Sequence, residues 1–148
     1  MEIKRASGND VEAITQLLNE NGGAASNIAS DKLEHVYLAF TKKNEFAGVG
    51  AMEVFGNTGF LHTLVVKEAF RGQGFGYLLI KTLDHAAKTD NIDEIYVLSD
   101  NLADYFKRYG YEIVDKASVP TALSSSTLYQ QVNSDAANAM RLQVAVTA

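Results

Sequence analysis

The chain has 148 residues, with 13 Lys and Arg against 18 Asp and Glu, a formal net charge of −5, and no cysteine. The missing cysteines exclude disulfides, thiolate metal ligands and a cysteine nucleophile. The acidic balance, with no Lys/Arg stripe interleaved with aromatics, argues against a nucleic-acid surface. At this length a single domain spanning 1–148 is expected, able to bury roughly 70% of its unfolded surface. No run reaches the ~18 apolar residues of a membrane span. Nor does an apolar stretch follow Met1–Arg5, so no signal peptide is visible and a cytoplasmic protein is the plain reading. No metal requirement is expected.

Ile3 to Ala6 reads as a short opening strand. Ser7 and Asp10 are spaced as a capping box, and Val11, Ile14, Leu17 and Leu18 make a helical stripe ending near Asn21-Gly22-Gly23. Ala24 to Lys32 is weakly patterned, a loop with one helical turn. His35 to Thr41, Phe46 to Phe55 and Phe60 to Val66 are strand-like, separated by Lys42–Glu45 and by the turn Gly56-Asn57-Thr58-Gly59. Such strands form an antiparallel meander. From Gly74 to Lys88 the apolar residues recur at helical spacing, and Ile92 to Leu98 is again a strand, so strand–helix–strand implies a parallel crossover. Asn101 to Tyr109 reads as a short helix ending at Gly110, and Tyr111 to Asp115 as a strand. Lys116 to Val132 is rich in Ser and Thr and has no clear pattern. Ala137 to Val146 is the last strand. The fold class is therefore α+β: a mixed sheet, antiparallel meander first, one βαβ crossover after it, with flanking helices.

Arg71-Gly72-Gln73-Gly74-Phe75-Gly76 stands between a strand and a helix. Missing Cβ atoms let the backbone approach an anion, and the N–H groups and dipole at the helix start stabilise negative charge there. Gly74 and Gly76 are the expected close-approach positions, with the amides of Gln73 to Tyr77 aimed at phosphate and Arg71 adding positive charge. A Walker A loop is excluded, because no Gly-Lys-Ser/Thr occurs. A dinucleotide fingerprint counted from Gly72 puts Tyr77 at its third glycine, although Asp100 lies at a suitable distance to mimic a ribose contact. Three antiparallel strands before the turn also do not suit a doubly wound sheet. A ligand-free glycine turn is the remaining alternative.

Leu64-Val65-Val66-x4-Arg71-x-x-Gly74-x-Gly76-x-x-Leu79 resembles the acetyl-CoA motif of the GNAT superfamily of N-acetyltransferases. Asn101-x-Ala103-x-Tyr105-Phe106-x-x-x-Gly110-Tyr111 is similar to a second segment of that superfamily, one residue shorter at its start. The resemblance covers nearly the whole chain. It implies acetyl-CoA as cosubstrate, Leu64, Val65 and Val66 pairing with the pantetheine arm, and Gly72 to Tyr77 around the pyrophosphate. A homodimer and a small-molecule amine as acceptor are further implications. A narrower similarity links Gly56-x-x-Gly59-Phe60-Leu61-His62-Thr63-Leu64 and Val119-Pro120-x8-Tyr129 to amino-acid N-acetyltransferases, including N-acetylglutamate synthases and arsenic-resistance N-acetyltransferases. This sequence has His62-Thr63 where that group has Arg-Ser, and no Arg or Lys between Lys116 and Arg141.

Amine attack on a thioester needs a neutral amine. For a Lys-like amine of pKa ~10.4 only ~0.1% is neutral at pH 7.4, so a base or relaying water should help. His62 is the first candidate, sharing a strand face with Phe60, Leu64 and Val66; an imidazole that merely packs is the alternative. Glu53 on the neighbouring strand is the second. In the superfamily a tyrosine protonates the departing thiolate, and the aligned residue here is Phe106. Tyr105 beside it, on the same face as Tyr109, is the substitute candidate. Asn101 has two readings, a cap of the following helix and a contact to pantetheine.

Overall fold

The computed structural model describes residues 1–20 and 33–144. The expected helix end at 21–23, the loop at 24–32 and the chain beyond Val144 lie outside the described residues. Among the described residues there are seven strands: β1 (Glu2–Arg5), β2 (Val36–Phe40), β3 (Phe46–Phe55), β4 (Thr58–Val66), β5 (Glu94–Ser99), β6 (Glu112–Val114) and β7 (Asn138–Gln143). They form one mixed sheet in the order β1-β2-β3-β4-β5-β7-β6. The helices are α1 (Val11–Glu20), α2 (Phe75–Thr89), α3 (Ala103–Lys107), α4 (Thr121–Ser124) and α5 (Thr127–Val132). The α+β expectation holds. Among the described residues no helix is long and apolar enough to cross a membrane. Two compact units are distinguished, Met1–Met52 with Thr63–Ala86, and Glu53–His62 with Ala87–Ala148; β3 and β4 contribute to both.

In the first unit, β1 pairs antiparallel with β2, and β2 with β3. The β2–β3 turn is built from polar residues, as expected. Thr41 Oγ1 accepts from the Lys43 and Glu45 amides at 3.2 and 3.1 Å, and Asn44 takes the left-handed conformation (φ 62°) that Asn tolerates. The Ser7–Asp10 box forms on a short 3-10 turn leading into α1, where the Asp10 carboxylate accepts from the Ser7 amide at 2.8 Å. Ile14, Leu17 and Leu18 then bury against Val36, Leu38, Val49 and Ala51. Each such side chain contributes roughly 1.5–3 kcal/mol by leaving water, far more than helix propensity supplies. On α2, Phe75, Leu79, Ile80, Leu83, Ala86 and Ala87 are buried. Gly50 lies among Leu79, Leu83 and Leu64, whereas Val65 packs with the α1 cluster. Successive β4 residues therefore serve opposite faces, as strand alternation requires.

The second unit holds β5, β6, β7 and α3 to α5. Asn91 (φ 58°) ends α2, with the Ile92 amide donating back to the Ala87 carbonyl at 2.9 Å, which frees the chain to enter β5. β5 runs parallel to β4, so the predicted crossover is present; the register covers Thr58, Gly59 and Phe60 against Glu94, Ile95 and Tyr96. β7 pairs antiparallel with both β5 and β6, and so lies between them. The stretch without expected structure, Lys116 to Val132, contains a 3-10 turn, α4 and α5. Local side chains start two of these: Asp115 accepts from the Ala117 amide and Ser126 from the Tyr129 amide. Val119, Leu123 and Tyr129 then join Phe60, Tyr96 and Ala139 in a core cluster. The last strand is shorter than expected, ending at Gln143.

Candidate active site

Within the first unit, the residues from Leu64 to Tyr77 come together at the start of α2. Past β4 the Lys67 amide donates to the Ala47 carbonyl at 2.7 Å. A 3-10 turn over Glu68–Phe70 follows. Arg71 Nε donates to the Val66 carbonyl at 3.0 Å, which ties the loop to the end of β4 and fixes the guanidinium there. The backbone is left-handed at Gly72 (φ 79°) and Gly74 (φ 93°), and a Cβ at either would meet nothing within 4 Å. Gly72 and Gly74 carry the left-handed conformations, while Gly76 lies in the first turn of α2. The first helical bond runs from the Leu78 amide to the Gly74 carbonyl at 3.0 Å. Phe75 and Gly76 hence have no carbonyl one turn back, and their amides face the N-terminal end of α2. Buried Phe75, 6.2 Å from the Phe70 ring, anchors that turn. Gln73 is exposed. The arrangement suits a diphosphate: open space, oriented amides, a positive dipole end and one arginine.

A residue the sequence reading missed is Gly48 on β3. A Cβ there would lie 2.7 Å from the Val65 carbonyl oxygen and 3.2 Å from Val66 Cα. Only glycine lets β3 and β4 approach so closely, just where Leu64 to Val66 are presented. Gly48-x-Gly50 inside an otherwise apolar strand was the available signal.

In the second unit, Glu53 and His62 are half-buried on β3 and β4. Burial lowers the His62 pKa from 6.5 to about 4, so the imidazole is neutral throughout the physiological range. Its ring lies 6.2 Å from that of Phe60. The shift has a consequence for stability. Between pH 6.5 and about 4 the unfolded chain binds a proton at His62 that the folded chain refuses, so stability falls as pH drops through that window. Substitution of His62 by Gln, which cannot titrate, should flatten this part of the curve of unfolding free energy against pH. An unchanged slope would show that His62 is not the group responsible.

Phe106 is 3% exposed and packs edge-on against Tyr111 at 5.3 Å. The Tyr105 ring on α3 lies 5.2 Å from that of Tyr109 in the turn after the helix, both residues half-buried. The Tyr105 pKa is raised by burial first, then by the neighbouring Tyr109 charge and hydrogen bond, against a smaller lowering by Arg108. Tyr105 thus keeps its proton at neutral pH. Asn101 is not a helix cap. Leu102 occupies that position, and the Leu102 amide donates to Ser99 Oγ at 3.0 Å, because the helix starts two residues later than expected.

A family model described as an acetyltransferase (GNAT) domain matches residues 3–123. The chain belongs to the GNAT acetyltransferase family. It is thus an acetyltransferase domain of a family whose acyl donor is acetyl-CoA. An N-acetyltransferase of Chlorobaculum tepidum, itself uncharacterised, is 33% identical over 60 residues, 40% of this chain and 38% of that protein. The chain thus matches well under half the length of that curated relative. A Mycobacterium tuberculosis protein solved with CoA superposes with a TM-score of 0.81 at 20% identity, covering 98% of this chain and all of that one. N-acetylglutamate synthase of Neisseria gonorrhoeae, solved with CoA and N-acetyl-glutamate, gives 0.83 at 17% identity over 97% of this GNAT chain and 35% of its own. These likenesses establish the fold.

Proposed function

We propose that residues 1–148 act as one acetyltransferase domain that moves the acetyl group of acetyl-CoA to the amine of a small, amino-acid-like molecule, by direct attack in a ternary complex. The observation that carries this reading is the left-handed, open turn at Gly72 and Gly74 opening α2, in a chain that the family model covers from residue 3 to 123. Leu64, Val65 and Val66 take the pantetheine arm as an added strand would, with Asn101 as a further contact. Arg71 and the backbone from Gly72 to Tyr77 take the pyrophosphate. A backbone amide near Leu64 or Val65 polarises the thioester carbonyl. The pattern of the family also suggests a cytoplasmic homodimer, which sedimentation of the purified chain would check.

The His62 value refines its role. Moving a proton from an ammonium of pKa ~10.4 to an imidazole of pKa about 4 is uphill by ~9 kcal/mol, so His62 does not deprotonate the free acceptor. The acceptor attacks as the neutral minority species, and His62, itself neutral, accepts a hydrogen bond from the attacking N–H and orients it. Glu53 passes the released proton to water. As the carbon–sulfur bond breaks, Tyr105 protonates the thiolate, a task Phe106 lacks the atom for.

The test is thiol release from acetyl-CoA in the presence of amino acids, polyamines and phosphinothricin-like amines. Release with an amino-acid-like amine supports the reading. His62→Ala should then lower turnover by about 10- to 100-fold with CoA affinity nearly intact, and by the same factor across neutral and alkaline pH, because His62 orients the amine without taking its proton. An equal loss in binding and turnover would leave His62 a packing residue. Buried Phe106 favours a second reading, a GNAT module that binds CoA with little turnover. That reading requires CoA binding without thiol release across the whole amine panel.

A further inference from the structure

Tyr129 on α5 is only 5% exposed, and its ring packs 5.5 Å from that of Phe60. Its backbone is tied to the helix start, where Ser126 Oγ accepts from the Tyr129 amide at 3.2 Å. The phenol hydroxyl, by contrast, has no hydrogen-bond partner among the described residues. A tyrosine buried this deeply usually finds one. No fully enclosed side-chain oxygen or nitrogen among the described residues lacks a partner, so the Tyr129 hydroxyl must reach open space. Burial raises its pKa, so it keeps its proton and can donate as well as accept.

Tyr129 packs on the sheet face that carries His62. Phe60 lies directly opposite Tyr96, and His62 is two residues further along the same strand face, its ring 6.2 Å from that of Phe60. This face is poor in positive charge. Phe55 packs against the same cluster as Tyr129, which puts Glu53, two residues earlier, on this side of the sheet. Arg141, opposite Tyr96 in the β5–β7 register, is already paired with Glu94 at 3.4 Å. β3, β4, β5, β6, α4 and α5 contain no Lys or Arg at all. An acceptor bearing a second carboxylate would therefore bury it with no cation to meet it and with Glu53 on the same face.

We propose that the Tyr129 hydroxyl hydrogen-bonds the far end of the acceptor, so that the site takes an amino acid with an uncharged, hydrogen-bonding side chain in preference to its carboxylate counterpart. This rests on the transfer reading above, in which His62 orients the attacking amine. A side-chain amide is the matching group. Its oxygen can accept from the phenol O–H, its N–H can donate to the phenol oxygen, and it brings no charge. An apolar side chain of the same shape leaves the hydroxyl unpaired, which is how polar sites reject such analogues.

Thiol release by the full chain, followed with two isosteric series of acceptors, tests this: asparagine, aspartate and leucine, and the longer glutamine, glutamate and methionine. In at least one series the unaltered protein should use the amide about tenfold better in kcat/KM than either counterpart. Tyr129→Phe keeps the buried ring and loses only the hydroxyl. It should raise KM for that amide about tenfold with kcat nearly unchanged, and leave the apolar acceptor as it was. An equal change for all acceptors in Tyr129→Phe would make the residue a packing one and overturn the inference. A carboxylate acceptor preferred by the unaltered protein, or release confined to polyamines, overturns it too. Absence of release with every amine is a different result, and removes the transfer reading itself.

Discussion

Gly74→Asp abolishes CoA binding, with at least a hundredfold loss in affinity by calorimetry. Two effects act together. The position has φ 93°, in which any side chain is strained, and the new carboxylate would point into open space beside the α2 N-terminus. Because a Cβ there meets nothing within 4 Å, the loss is not a clash with the protein. The Asn variant separates the two effects. Gly74→Asn carries the same strain and shape without the charge, so the difference between Asp and Asn reports repulsion of a bound anion. That difference should be tenfold or more at low ionic strength and shrink with salt, since partly exposed charges are screened. Equal affinities for the two variants would mean that no phosphate sits against Gly74, and the site assignment would fall.

Gly48→Ala produces the largest expected effect away from the ligand. Its methyl would lie 2.7 Å from the Val65 carbonyl oxygen and 3.4 Å from Val66 Cγ2, and the oxygen belongs to backbone that cannot swing aside. β4 must move away from β3, at a cost of about 1–3 kcal/mol as for other overpacked interiors, which is several degrees in melting temperature for a chain of this size. Turnover should drop as well, because the displaced segment is the one proposed to bind the thioester. Gly50→Ala is the comparison: its nearest atoms are the side chains of Leu79, Leu83 and Leu64 at 3.2 to 3.6 Å, and it should be milder on both measures. A Gly48→Ala protein with unchanged melting and turnover would show that β4 tolerates the shift.

Much of the first unit was legible because its signals are local and periodic. The α1 stripe, the polar turn at Lys42–Glu45, and the passage from β4 through the glycine turn into α2 each follow from a repeat or a turn residue within a few positions. The cap reading of Asn101 fails because a cap depends on where the helix begins, and α3 starts at Ala103 with Leu102 in the cap position and no side-chain cap hydrogen bond. α4 and α5, of four and six residues, are too short to display a period; α4 follows Pro120 and is held by burial of Leu123, and α5 is set by the Ser126 cap and burial of Tyr129. The His62 pKa depends on burial, which no spacing encodes. The place of Phe106 against Tyr111 gives the reason it is aromatic at all.

The position of β7 between β5 and β6 bears on the order of assembly. β6 at Glu112–Val114 has no ladder with β5 and is registered only against residues Ala139 to Arg141 of β7. During folding, therefore, β6 cannot join the sheet until a segment about two dozen residues later has docked along the whole of β5. Loop closure comes before the reward of pairing, so this step should be slow relative to the β2–β3 hairpin. Until it occurs β5, with buried Ile95, Tyr96 and Val97, presents an open apolar edge. A chain cut before Asn138 would keep that edge permanently, and aggregation rather than simple loss of activity would be its failure.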